Sequence, residues 1–217
     1  DPVVMAHAPE GATLFGGADT AWRVEGVEAS AVLIVDGEPL VDVAALPRAL
    51  PHDLANAQAA TALAIRAGAS RGACADALVG FSGLAHRMAL VAEVDGVRFV
   101  DDSKATTPHA TLTAMAGLPG AVLIAGGRNK GIDLSGLGDA RPRAVVAIGE
   151  AADEVVEAFA GRCPVHTATS MTEAVALARR EAAGGTGGAG TVLLSPGCSS
   201  FDWYGSYVER GLDFSRI

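Results

Sequence analysis

Val97-Arg98-Phe99-Val100-Asp101-Asp102-Ser103-Lys104-Ala105-Thr106-Thr107 runs from an apolar, strand-like start straight into an acid pair, a lysine and small or hydroxyl residues. Open α/β folds hold their ligands beyond the carboxyl ends of the strands. The polar half of this stretch therefore falls where such a fold binds something. Just before it, Asp95-Gly96 supplies the positive φ angles of a tight turn, so Met88 to Val94 and Val97 to Asp101 are predicted to form a hairpin. Just after it, Thr107 can cap a helix that begins at Pro108, where a missing N–H costs nothing, and runs to about Met115.

Working outward, Val122 to Ala125, Ala144 to Ile148, Val165 to Ala168 and Val192 to Leu194 are short apolar runs of the kind that become buried parallel strands. Helical segments at Ala152 to Phe159 and Met171 to Ala183 lie between them. Regular alternation of this sort predicts βαβ units and an α/β fold, a Rossmann-like domain with a mainly parallel sheet and an antiparallel hairpin. Upstream, Ala31 to Val35 and Leu40 to Val43 read as strands around the turn Asp36-Gly37. An alanine-rich helix from Leu54 to Ala67 ends at Gly68, and Ser70 caps a second helix through Leu78. This first part shows no catalytic centre of its own.

Composition narrows the function. The chain has 217 residues, half of them hydrophobic, and a formal charge of −9. Nucleic acid is excluded as a partner because the lysines and arginines do not cluster. No apolar run approaches the ~20 residues of a membrane-spanning helix. The three cysteines, Cys74, Cys163 and Cys198, are odd in number and lack metal-ligand spacing, which fits a reducing, cytoplasmic setting. His7, His109 and His166 are scattered singly, and no metal site is assigned in this chain. The first residue is Asp1, so upstream sequence is expected to be missing.

Two further loops follow predicted strands. Gly126-Gly127-Arg128-Asn129-Lys130-Gly131 lets backbone approach a ligand and presents two cations. Ser195-Pro196-Gly197-Cys198-Ser199-Ser200-Phe201-Asp202 places small hydroxyl residues ahead of an expected helix N-terminus, whose free N–H groups suit a carboxylate. Parallel topology brings these loops and Asp101–Thr107 to one edge, where they can converge on one acidic small molecule. Turn chemistry alone also accounts for the individual motifs. The run Gly184 to Gly190 lacks the Lys-Ser or Lys-Thr of a phosphate loop and reads as a linker. Cys198 reads as a small packing residue, with no general base identified beside it. Trp203 to Tyr207 can line the pocket.

The loops together and in order (His52-Asp53-Leu54-Ala55-Asn56, Leu84-Ala85-His86-Arg87, Asp101 to Thr106, Gly126 to Lys130, Ser195 to Asp202, Tyr207 to Gly211) resemble the Mur ligase family, and within it the members that add D-glutamate. The resemblance covers about Leu33 to Ile217. It implies that residues 1–86 are the end of a P-loop-type ATPase central domain and residues 87–217 a Rossmann-like C-terminal domain. It implies ATP, D-glutamate and UDP-N-acetylmuramoyl-L-alanine as substrates in peptidoglycan precursor synthesis, with the alanine carboxylate activated as an acyl phosphate and then attacked by the D-glutamate amine. Asn56, Arg87 and Asp102 match nucleotide-binding positions. Thr106, Lys130, Ser200, Phe201 and Tyr207 match positions that hold D-glutamate, and Lys104 matches one near the reacting acyl group, a catalytic placement.

Two departures stand out. The family's His-Asn-x-x-Asn appears as His52-Asp53-x-x-Asn56. The phosphate loop, the Mg²⁺ ligands, the carbamylated lysine and the UDP-binding domain, all of which precede this region in the family, do not occur in these residues. The chain is therefore expected to be a fragment inactive alone, with its metal ligands upstream. Two other readings remain: a non-catalytic Rossmann-like module for an acidic metabolite or nucleotide, and a folylpolyglutamate-synthetase-type ligase.

Overall fold

The computed structural model describes residues 12, 20–26, 30–184 and 190–217. His7 and most of the Gly184–Gly190 run lie outside them. The chain divides into two compact units, Asp1–Ser82 and Gly83–Ile217.

In the first unit, β1 (Arg23–Glu25), β2 (Val32–Val35) and β3 (Glu38–Asp42) form an antiparallel sheet, and Asp36 and Gly37 take the positive φ angles of the turn between β2 and β3. Two helices follow, α1 (Pro51–Arg66) and α2 (Arg71–Gly80). Helix α1 starts earlier than its apolar pattern suggests. Pro51 tolerates the first position, and the Asp53 carboxylate reaches back to accept the Leu50 N–H at 3.2 Å, half of a capping box. Arg48 grips the same carboxylate with two bonds of 2.7 Å. The acid at position 53 thus has a structural role at this helix start. Ser70 caps α2 by accepting from the Ala73 N–H.

The second unit is a six-stranded sheet covered on both faces. Its strands are β4 (Ala89–Val94), β5 (Val97–Asp101), β6 (Val122–Gly126), β7 (Ala144–Ile148), β8 (Val165–Ala168) and β9 (Thr191–Gly197), in the order β4-β5-β9-β6-β7-β8. Only the β4–β5 hairpin pairs antiparallel, turning at Asp95 and Gly96 with φ of 51° and 74°. The fold is α/β and Rossmann-like. Helices α3 (Pro108–Gly117) and α4 (Ala152–Phe159), with the 3₁₀ turn Ser135–Ala140, cover one face. Helices α5 (Met171–Ala183) and α6 (Tyr207–Arg216) cover the other. The central strands β9, β6 and β7 are buried throughout, as their unbroken apolar runs require.

Two further elements differ from the sequence pattern, and both differences shape the ligand edge. Strand β9 continues through Ser195-Pro196-Gly197, because Gly197 still pairs with Gly126 across a register shift. Pro196 lacks an N–H for the ladder, and the irregularity beside it accommodates that. The helix expected to follow the small hydroxyl residues of the Ser195–Asp202 loop begins at Tyr207. Between them, Ser200 O accepts from the N–H groups of Trp203 and Tyr204 in an isolated turn. Ser206 caps Glu209 N–H at 3.1 Å, and the Glu209 carboxylate accepts the Gly205 N–H at 3.0 Å. That reciprocal cap uses N–H groups the sequence pattern had offered to a ligand carboxylate.

Candidate active site

The carboxyl ends of β5, β9 and β6 lie side by side, and each carries one of the three loops. At the end of β5, Asp101 is 1% exposed. Its carboxylate accepts the Ser103 N–H at 2.9 Å and pairs with His86 Nδ1 at 2.6 Å. Next to it, Asp102 accepts the Met88 N–H at 3.2 Å and the Ser195 hydroxyl at 2.8 Å. Burial pushes the Asp102 carboxyl up to about 6, against the opposing pull of those two hydrogen bonds. Each Asp102 oxygen accepts one of these bonds and keeps further acceptor capacity.

Lys104 turns its ammonium over the Tyr207 ring, 4.1 Å from the centroid, a cation–π contact that parks the charge at the loop surface. The Tyr207 carbonyl accepts from the Ser103 hydroxyl at 2.8 Å. Thr106 is half-buried, and its neighbour Ala105 accepts the Gly197 N–H at 2.9 Å, tying the β5 loop to β9.

The β6 loop starts at Gly126 and Gly127, with φ of 123° and 126°, a region only glycine enters freely. Arg128 and Ser199 exchange backbone hydrogen bonds of 2.9 and 3.1 Å, which joins this loop to the one after β9. Of the two cations proposed here, Arg128 is engaged by Glu150 through bonds of 2.9 and 2.7 Å. Lys130 is exposed, with its ammonium 5.5 Å from the centre of the half-exposed Phe201 ring. Ser200 is buried beside it. Burial raises the Cys198 thiol to about 11, the wrong direction for a nucleophile, so its packing reading stands.

The second unit thus brings Asp102, Lys104, Thr106, Lys130, Ser200, Phe201 and Tyr207 to one sheet edge, with exposed Arg87 on the segment leading into β4. Asn56 is exposed on α1 in the first unit. No cluster able to hold a metal ion occurs among the described residues. Sequence reasoning missed Ser195, Ser103 and Arg210. Ser195 and Ser103 look like ordinary turn residues, and Arg210 sits in the charged helix sequence Tyr207-Val208-Glu209-Arg210-Gly211, where an arginine signals solvent. Only its burial marks it.

Residues 86–198, over half of the chain, match the Mur ligase glutamate ligase domain. The chain belongs to the Mur ligase family. Among Mur ligases, the UDP-N-acetylmuramoylalanine–D-glutamate ligase of Frankia casuarinae is 43% identical over 218 residues, spanning 96% of this chain and 45% of the relative. The enzyme of the same name from Chlorobium limicola is 44% identical over 169 residues, spanning 76% of this chain and 36% of its own. The chain covers less than half the length of these relatives. Among solved structures, MurF from Acinetobacter baumannii superposes with a TM-score of 0.67 at 20% identity, covering 93% of this chain and 46% of that one. Escherichia coli FolC gives 0.60 at 19% identity, covering 92% and 47%. At these identities the likeness is one of fold.

Proposed function

We propose that this chain is the amine-positioning portion of an ATP-dependent ligase that joins D-glutamate to UDP-N-acetylmuramoyl-L-alanine in the cytoplasm, during peptidoglycan precursor synthesis. The observation that carries the reading is the pair of ammonium groups, Lys104 over Tyr207 and Lys130 near Phe201, on cross-tied loops at one sheet edge. Relatives that bear the D-glutamate ligase name at 43–44% identity support the choice of substrate. Residues 1–86 act in this reading as the end of the ATP-binding central domain, and residues 87–217 as the glutamate-binding domain.

D-Glutamate brings two carboxylates and an amine. Lys130 and Thr106 hold carboxylate oxygens together with the Ser200–Phe201 segment. Lys104 leans toward the acyl group on the loop that also carries Asp102. The chemistry these residues supply is placement of a nucleophile and neutralisation of charge, both recognised sources of rate. Asn56, Arg87 and Asp102 bind ATP, whose contribution is to activate the carboxylate that the amine attacks. No group able to hold a metal ion occurs among the described residues, and in this reading the magnesium ligands lie upstream of this chain.

Calorimetric titration of the 217-residue chain with D- and L-glutamate tests the reading. Binding of D-glutamate with a clear preference over L-glutamate, without turnover by this chain alone, is expected. Equal affinity for the enantiomers would move the assignment toward a folylpolyglutamate-synthetase-type ligase, and binding of neither would leave the non-catalytic module as the better account.

A further inference from the structure

Arg210 is 1% exposed, the largest fully buried side chain among the described residues. It lies on the second turn of α6, beneath the loops of the candidate site. Its Nε donates to the Ser103 hydroxyl at 2.9 Å. One terminal nitrogen, Nη2, donates to Ser103 O at 2.9 Å and Cys198 O at 3.2 Å. The other, Nη1, has no hydrogen-bond partner among the described residues. It lies against the β6 loop, where a Cβ on Gly127 would come within 3.1 Å of it. One planar guanidinium therefore hydrogen-bonds the loops after β5 and β9 and lies beside the loop after β6.

Its charge is not neutralised by a direct ion pair among the described residues. The carboxylates that act on it through space are Asp202 and Asp101. Asp101 is held by His86 and the Ser103 N–H, and Asp202 accepts the Glu150 N–H at 3.1 Å. Burial lowers the guanidinium to about 10, the direction expected for a cation kept from water without a contact partner. Burying an uncompensated charge is costly. A packing role alone would be filled at less cost by methionine or leucine.

We propose that Arg210 is the positioning residue of the acidic-ligand site: its fork fixes the β5 and β9 loops to α6 beside the β6 loop, and its charge, held without a direct ion pair, favours an anion on those loops. The inference rests on the D-glutamate reading for the identity of the anion, but the anchoring does not. Ser103 is the intermediary, since its hydroxyl accepts from Arg210 and donates to the Tyr207 carbonyl, which sets the ring under Lys104.

The test compares wild type with Arg210→Met, which keeps the apolar stem and removes the guanidinium, Arg210→Lys, which keeps charge without the fork, and Ser103→Ala, which removes only the shared hydroxyl. Hydrogen exchange is read at segments 102–106 and 198–201 against the distal strand β8, and D-glutamate affinity by calorimetry. Arg210→Met is expected to speed exchange in the two loop segments while β8 stays protected, and to weaken D-glutamate binding about tenfold or more, the scale of a lost charge-assisted contact. Arg210→Lys should open the same segments with a smaller loss of affinity, and Ser103→Ala should loosen 102–106 most. Exchange unchanged in the loops, or faster everywhere alike, would overturn the proposal. If wild type binds no D-glutamate, the substrate reading fails while the exchange pattern still decides the anchoring. Loops that open while D-glutamate affinity holds would remove the charge from the proposal.

Discussion

The loops after β5 and β6 occupy the same sheet edge, yet they are built in opposite ways. At the base of the β5 loop the polar groups are buried and committed: Asp101 to His86, Asp102 to Ser195, Ser103 to Arg210 and Tyr207. The β6 loop keeps its backbone pinned at Arg128 and Ser199 but leaves its side chains outside, with Arg128 in an exposed ion pair and Lys130 near an exposed ring. The difference separates two tasks. A buried polar network in low dielectric defines one geometry and is costly to break, whereas exposed cations are worth little until a ligand arrives to be bound. The Asp101–Ser103 base of the first loop is therefore the frame, and the second loop, with Lys104 and Thr106 beyond that base, the recognition arm.

The largest expected effect lies in the frame. Burial holds the Asp102 carboxyl at about 6 against an ordinary 3.8, so the folded form keeps its proton more tightly than the unfolded chain does. Its contribution to stability is present below pH about 4 and falls by about 3 kcal/mol in all as pH rises through 6. Thermal melts from pH 4 to 8 should show that decline in wild type and a flatter profile in Asp102→Asn; parallel profiles would place the carboxylate in a wetter setting than this frame allows.

A second, somewhat smaller effect probes how closely α6 seats on the frame. A Cβ at Gly211 would come within 2.2 Å of His86 Nδ1 and 2.6 Å of Asp101 Oδ2. Gly211→Ala should therefore lower stability by about 2 kcal/mol through overpacking, measured by urea unfolding. A neutral result would mean that α6 yields easily, and the contrast between frame and arm would weaken.

On the arm the expectation reverses. Lys130→Met should leave the melting temperature unchanged while weakening D-glutamate binding about tenfold, the loss of one charge-assisted contact. Smallest of all, Arg128→Ala should change neither unfolding nor its salt dependence measurably, because the Arg128–Glu150 pair is open to solvent. A stability loss at either arm position would show that this loop is part of the frame.

Much of this was legible in the sequence, and the reason is local chemistry. Asp95-Gly96 fixed a hairpin because few residues accept two positive φ angles in succession. Thr107-Pro108 and Ser70 marked helix starts by the side chains that satisfy free N–H groups. Apolar runs at Ala144–Ile148 and Val165–Ala168 became strands with those bounds. What eluded the pattern had causes outside its own window. Strand β9 runs past its apolar residues because a partner strand still offers Gly126 to Gly197, and α6 starts late because Ser206 and Glu209 make the better cap.

By itself, then, the sequence determined the order and kind of elements, the α/β class, and the resemblance of its loop motifs to one ligase family, since each depends on neighbours along the chain. Tertiary structure alone decided which charges are spent and which are free. Arg128 and Lys130 are alike in sequence, but one meets Glu150 from beyond β7 and the other does not. Arg210 reads as a solvent-facing helix residue until the fold brings Ser103, Cys198 and Gly127 around it. Charge balance in a protein interior is a property of groups distant in sequence, and no local pattern carries it.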